Sequence, residues 1–131
     1  MRIMSFYKLP AIAMALFFIP FTAYALDGAS HYSAEAFQKA QNDNKMIVID
    51  VYKDGCGTCA KQKPALEAAR AQYPNAEFFR VNFVEDKAAV EHFKAIKQST
   101  IIVFKGKEEK GRVLGETNHD KILHLIAKGA S

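Results

Sequence analysis

The sequence predicts an α/β fold with a central mixed sheet of about four strands and helices on both faces, and three observations carry that expectation. Apolar, β-branched runs at 46–52, 77–84 and 100–104 read as strands covered on both sides. The first two are separated by a stretch of helical composition, as a parallel crossover requires. The third is followed by 111–114 at hairpin distance, which forces antiparallel pairing. With 131 residues, 50% apolar and 24% charged, the chain fits one globular domain, and disorder, collagen and coiled coil are excluded.

The elements follow in order. Ser33 can cap a first helix running to about Gln41, with Tyr32 packing on Phe37 as a hydrophobic staple. Asn42-Asp43-Asn44-Lys45 is a turn cluster before the first strand, which Asp50 interrupts. Residues 59–72, rich in Ala, Lys, Gln and Glu, favour a helix with Leu66, Ala69 and Tyr73 on one face, ended by Tyr73-Pro74-Asn75. Phe78, Phe79, Val81, Phe83 and Val84 mark the second strand, and Asp86 can cap a helix carrying Val90 and Phe93 on one side. After the third strand, 105–110 reads as a charged hairpin turn and 111–114 as the return strand. Thr117-Asn118-His119-Asp120 opens a last helix with Ile122, Leu123 and Ile126 as its apolar stripe.

Residues 1–25 have the three parts of a secretory signal peptide: Arg2 and Lys8, an apolar stretch from Leu9 to Phe21, and Ala23-Tyr24-Ala25 as a small-x-small cleavage pattern. The mature start is placed at Leu26, leaving one domain at 26–131. The apolar stretch is short of the roughly 20 residues of a spanning helix, so no stable membrane span is expected after cleavage; the rival reading is an uncleaved anchor. Removing Arg2 and Lys8 from the 18 basic residues leaves 16 against 14 acids, so the net charge falls from +4 to +2. Without a basic face interleaved with aromatics, nucleic acid is not an expected partner. An exported, oxidising compartment is expected.

The only two cysteines are Cys56 and Cys59. A bridge between them closes too short a loop to remove much unfolded-state entropy, so their value is chemical. Cys56-Gly57-Thr58-Cys59 follows a buried strand and opens a helix, where free amides and the positive end of the macrodipole favour a thiolate on Cys56. Cys59 is then placed to attack a mixed disulfide formed on Cys56. Lys53 and Lys61 are near enough in sequence to add positive potential, or simply to be solvated. A zinc half-site and an inert bridge are the alternatives; zinc needs two more ligands, and His31, His92, His119 and His124 offer no paired spacing.

The run Val48-Ile49-Asp50-Val51-Tyr52-Lys53-Asp54-Gly55-Cys56-Gly57-Thr58-Cys59-Ala60-Lys61 resembles the first central strand and active site of the thioredoxin family, and the resemblance extends over essentially all of 26–131. It includes the aspartate six positions before the first cysteine, and Pro64, which in the family kinks the long helix. Arg80-Val81-Asn82 and the run from Thr100 to Lys105 resemble the next two strands, and Gly115 falls where the family has a glycine near the substrate groove. The resemblance implies that Asp50 is a buried carboxylate that helps deprotonate Cys59, with its pKa raised by burial.

The chain departs from the family pattern at several positions. Gly55 and Tyr52 stand where the family has tryptophans, and Thr58 replaces the proline of the commonest reducing motif. Ser99 stands where the family has a cis-proline facing the cysteines. A cis bond before serine costs roughly 3–4 kcal/mol, so a trans Gln98–Ser99 bond is expected. Ser99 is then either a loop residue or a donor to a cysteine sulfur.

The function implied is that of an exported, periplasmic thiol-disulfide oxidoreductase acting on protein dithiols and disulfides without a cofactor. Its catalytic residues would be Cys56, Cys59 and Asp50, with Gly57 and Thr58 in the active-site loop, and Gln98, Ser99, Thr100 and Gly115 lining the substrate groove. The reductase direction, fed by a membrane dithiol donor as in cytochrome c maturation, is preferred. A dithiol metal-handling protein and a non-catalytic binding module of the same fold remain the alternatives.

Overall fold

A computed structural model describes residues 28–131; the signal peptide and cleavage site expected at 1–25 lie outside the described residues. The elements are β1 (Ser30–His31), α1 (Ala34–Asn42), β2 (Met46–Tyr52), α2 (Gly57–Gln72), β3 (Glu77–Asn82), α3 (Lys87–His92), β4 (Thr100–Lys105), β5 (Glu108–Leu114) and α4 (His119–Ala127), closed by a 3₁₀ turn at Lys128–Ala130. They form one five-stranded sheet in the order β1-β3-β2-β4-β5. The pairs β1–β3 and β2–β3 are parallel, and β2–β4 and β4–β5 antiparallel. The mixed sheet is as expected, with β1 added as an edge strand.

Alternation along the strands sorts the side chains between two cores. Ile47, Ile49 and Val51 of β2, Phe79 and Val81 of β3, and Ile102 and Phe104 of β4 face α1 and α3. Met46, Val48, Phe78, Ile101 and Val103 face α2 and α4, against Leu66, Ala69, Ile122 and Ile126. By the same parity Asp50 and Arg80 belong to the α2 side of the sheet, where they stand opposite each other in the β2–β3 register.

Local chemistry accounts for the boundaries. Ser33 caps α1 by accepting from the Ala36 amide at 3.1 Å, and the Tyr32 and Phe37 rings meet at 5.9 Å. The helix α2 starts at Gly57 rather than near Cys59, which makes Cys56 its N-cap, and it runs through Pro64. Strand β3 stops at Asn82, short of the expected Val84, because the Asn82 side-chain oxygen accepts from the Val84 and Glu85 amides and turns the chain. Asp86 precedes α3 but accepts from the Asn82 amide at 2.7 Å instead of capping the helix. The hairpin is tighter than expected: Lys105 pairs with Glu108 across a two-residue loop whose Gly106 has φ +55°. The charged residues 108–110 therefore belong to β5, an edge strand where exposed charge is at home. In α4, Leu125 joins Ile122 and Ile126 in the core, and Leu123 is only partly buried at its margin. Among the described residues no helix is long and apolar enough to cross a membrane.

Candidate active site

Strand β2 ends at Tyr52 and the chain turns into α2 over Lys53–Cys56, with the Cys56 amide donating to the Lys53 carbonyl at 3.3 Å. Gly55 supplies the φ of +72° at the third position of that turn, a conformation open to glycine and strained for a side chain the size of tryptophan. Cys56 and Cys59 are joined as a disulfide, and both are partly exposed. Cys56 Sγ accepts a hydrogen bond from the Cys59 amide at 3.1 Å. The sulfur therefore occupies the place of a capping oxygen, where a helix amide and the macrodipole act on any negative charge it acquires. Gly57 is exposed at the first helical position and Thr58 is partly buried beside it.

Beneath α2, Asp50 Oδ2 accepts from Arg80 Nε at 3.3 Å, and the Arg80 guanidinium lies over the Tyr52 ring, 3.7 Å from its centroid. The Asp50 side chain is 17% exposed. Burial pushes its carboxyl above the ordinary value, while the positive charge and hydrogen bond of Arg80, and Arg70 at longer range, pull the other way. Asp50, Arg80, Cys56 and Cys59 line one cavity of about 400 Å³, which Lys53 and Arg70 also border. A carboxyl with a raised pKa thus lines the same half-open cavity as both cysteines.

On the other side of the dithiol the loop before β4 closes in. The Gln98–Ser99 bond is trans, as expected, since no peptide bond among the described residues is cis. Ser99 is 5% exposed, and its Oγ lies 3.3 Å from Cys56 Sγ and 3.4 Å from Cys59 Sγ. Gln98 is partly buried beside it. Thr100 is buried at the start of β4, with its hydroxyl donating to the Lys97 carbonyl at 2.7 Å. Gly115, φ +72°, donates its amide to the Ser99 carbonyl at 2.9 Å, and the space a Cβ would take there is open.

Two residues of the site escape the sequence reading. Gln62, fully buried on α2, donates its Nε2 to the Ser99 carbonyl at 3.1 Å and to the Glu116 carbonyl at 3.0 Å, tying the loop before β4 to the one after β5. Arg80 is the second; a charge at the Phe78 parity inside an apolar strand is the same signal that marks Asp50. Among the described residues no group of three or more His, Cys, Asp or Glu is placed to hold a metal ion.

The thioredoxin family model matches residues 29–128. Thioredoxin H-type of Fagopyrum esculentum is 32% identical over 93 residues, covering 71% of this chain and 79% of that protein. Thioredoxin-1 of Saccharomyces cerevisiae is 30% identical over 98 residues, covering 75% and 94%. The crystal structure of Trxlp from Edwardsiella tarda EIB202 superposes with a TM-score of 0.72 at 33% identity, over 75% of this chain and 97% of that one. The chain belongs to the thioredoxin family. With its disulfide at the head of α2 it is a thiol-disulfide oxidoreductase, of a family that acts on protein dithiols and disulfides.

Proposed function

We propose that the chain is exported, matured by cleavage after Ala25, and works in the periplasm as a reductase of protein disulfides. The observation that carries its chemistry is the cap: Sγ of the partly exposed Cys56 accepts from the Cys59 amide at the start of α2. The Cys56 thiolate attacks one sulfur of a substrate disulfide; a Cys56–substrate bond forms, the substrate S–S bond breaks, and the leaving thiolate takes a proton from water. Cys59 then gives its proton to Asp50 and attacks Cys56 Sγ. The Cys56–Cys59 bond forms and the second substrate thiolate leaves, so two electrons have passed from the dithiol to the substrate.

Gln98, Ser99, Thr100 and Gly115 border the groove into which the substrate chain lies. Ser99 takes the place of the family's cis-proline, and its buried position against both sulfurs supports that correspondence. In an oxidising compartment the dithiol must be regenerated, and a membrane protein that relays electrons as a dithiol is the donor that fits, with cytochrome c maturation as one setting.

The test is a trap. Expressed with its own N-terminal segment, Cys59→Ser should accumulate mixed disulfides with extracytoplasmic proteins, and the recovered chain should begin at Leu26. Cys56→Ser should trap none. Equal trapping by both variants would overturn the assignment of the nucleophile, and a chain recovered only from the cytoplasm would overturn export.

A further inference from the structure

We propose that Ser99 is a catalytic residue whose hydroxyl hydrogen-bonds whichever of the two sulfurs carries negative charge, and so biases the couple toward the dithiol. The inference rests on the oxidoreductase reading above and assigns a redox role to a residue outside the cysteine motif. Its Oγ stands nearly equidistant from the two sulfurs, at 3.3 Å and 3.4 Å. A hydroxyl carries one O–H donor, and disulfide sulfur is a weak acceptor. A thiolate in the same place accepts a charge-assisted bond, which is roughly twice as strong as a neutral one. The contact therefore strengthens when the disulfide opens: on Cys56 in the reduced protein, and on Cys59 while Cys56 is bound to substrate.

The hydroxyl is held where it can do this. Ser99 has φ +64°, a left-handed conformation uncommon for any residue but glycine. Three hydrogen bonds fix its backbone there: its amide donates to the Val51 carbonyl at 2.8 Å, and its carbonyl accepts from the Gly115 amide at 2.9 Å and Gln62 Nε2 at 3.1 Å. Those partners sit on β2, on α2 and just past β5, so the backbone holds the Ser99 Cβ beside the sulfurs, and a rotation about one bond, Cα–Cβ, is all that sets where the hydroxyl points. A helix amide already serves Cys56 Sγ, and Ser99 adds a second donor there while reaching Cys59 Sγ as well.

The experiment equilibrates wild-type protein, Ser99→Ala and Ser99→Gly with reduced and oxidised glutathione under anaerobic conditions. Two glutathione thiols supply the two electrons and two protons that open the protein disulfide, and one glutathione disulfide results. Both variants should hold their disulfide more tightly by about tenfold in the equilibrium constant, which is about 30 mV more reducing. The apparent Cys56 pKa should rise by about one unit in both. Glycine takes φ +64° without strain, so Ser99→Gly folds at least as stably as Ser99→Ala and separates the hydroxyl from the backbone.

A change under twofold in both variants overturns the proposal. So does a shift in Ser99→Ala that Ser99→Gly does not share, which would assign the effect to strain. A wild-type disulfide that does not exchange reversibly with glutathione would instead overturn the oxidoreductase reading itself.

Discussion

Gln62 is the residue by which the hidden part of the site can be weighed. Replacing it with alanine removes two neutral hydrogen bonds, to the Ser99 and Glu116 carbonyls, worth about 1 kcal/mol each. It also removes one buried methylene, worth about 0.8 kcal/mol, and opens a void of roughly 50 Å³ that costs about 1 kcal/mol where the walls do not collapse. Against this, Gln62 Oε1 is buried without a protein hydrogen-bond partner, and deleting such an atom returns about 1 kcal/mol. The sum is a loss of about 3 kcal/mol. Leucine loses the same two bonds but keeps the volume, removes the orphaned oxygen and adds apolar burial, so Gln62→Leu should lie within about 1 kcal/mol of wild type. Urea unfolding of the oxidised proteins reads the difference: with a slope of about 2 kcal/mol/M, the alanine midpoint falls by about 1.5 M and the leucine midpoint by less than about 0.5 M. Equal losses for the two variants, or an alanine loss below about 1 kcal/mol, would show that the Gln62 bonds do not hold the 99 and 116 loops together.

Other expectations follow from Asp50 and the turn before Cys56. Asp50→Asn should slow resolution of the mixed disulfide by about 10²–10⁴-fold, the usual worth of a general base; single-turnover kinetics with unchanged rates would remove the base role. The same variant should gain stability relative to wild type as pH rises. Burial raises the folded pKa of Asp50, so the unfolded chain, with its carboxyl near pKa 3.9, loses its proton first. Wild-type stability falls between that value and the raised folded one, and asparagine has no such loss. A difference between the two that is constant from pH 3 upward would contradict this. Arg80→Met removes the nearest charge that opposes the rise at Asp50, so the limb of the pH–rate profile assigned to Asp50 should move to higher pH; no movement would show that Arg80 does not act through that carboxyl. Gly55→Ala meets no atom within 4 Å but inherits φ +72°, and should cost about 1–2 kcal/mol by urea unfolding; a neutral result would mean that the turn relaxes.

Three strands are legible because they are long apolar runs with clear breaks, and β2, β3 and β4 stand close to those runs. The edge strand Ser30–His31 was not, since two polar residues carry no periodicity; its pairing with β3 is set by tertiary contact. The hairpin stands three residues earlier than its charge pattern predicts, because on an edge strand charge is compatible with pairing. Val84 left the second strand because an Asn82 side-chain bond, invisible to hydrophobic counting, ended it. At the site, the cysteines and Asp50 declare themselves: one pair in the chain, and one acid inside a buried run. Gln62 does not, because a glutamine on a helix is ordinarily solvated, and only the approach of the 99 and 116 loops buries it. Arg80 carries the same signal as Asp50, a charge that interrupts an apolar run, one strand further on.

The central claim is that the head of α2 makes Cys56 a thiolate nucleophile, and the most direct measurement is the pH dependence of its alkylation by iodoacetamide in the reduced protein. The Cys56 thiol should titrate clearly below the value of about 8.5 of a free cysteine, with Cys59 reacting later and more slowly. A Cys56 pKa at or above that value, or preferential alkylation of Cys59, would contradict it.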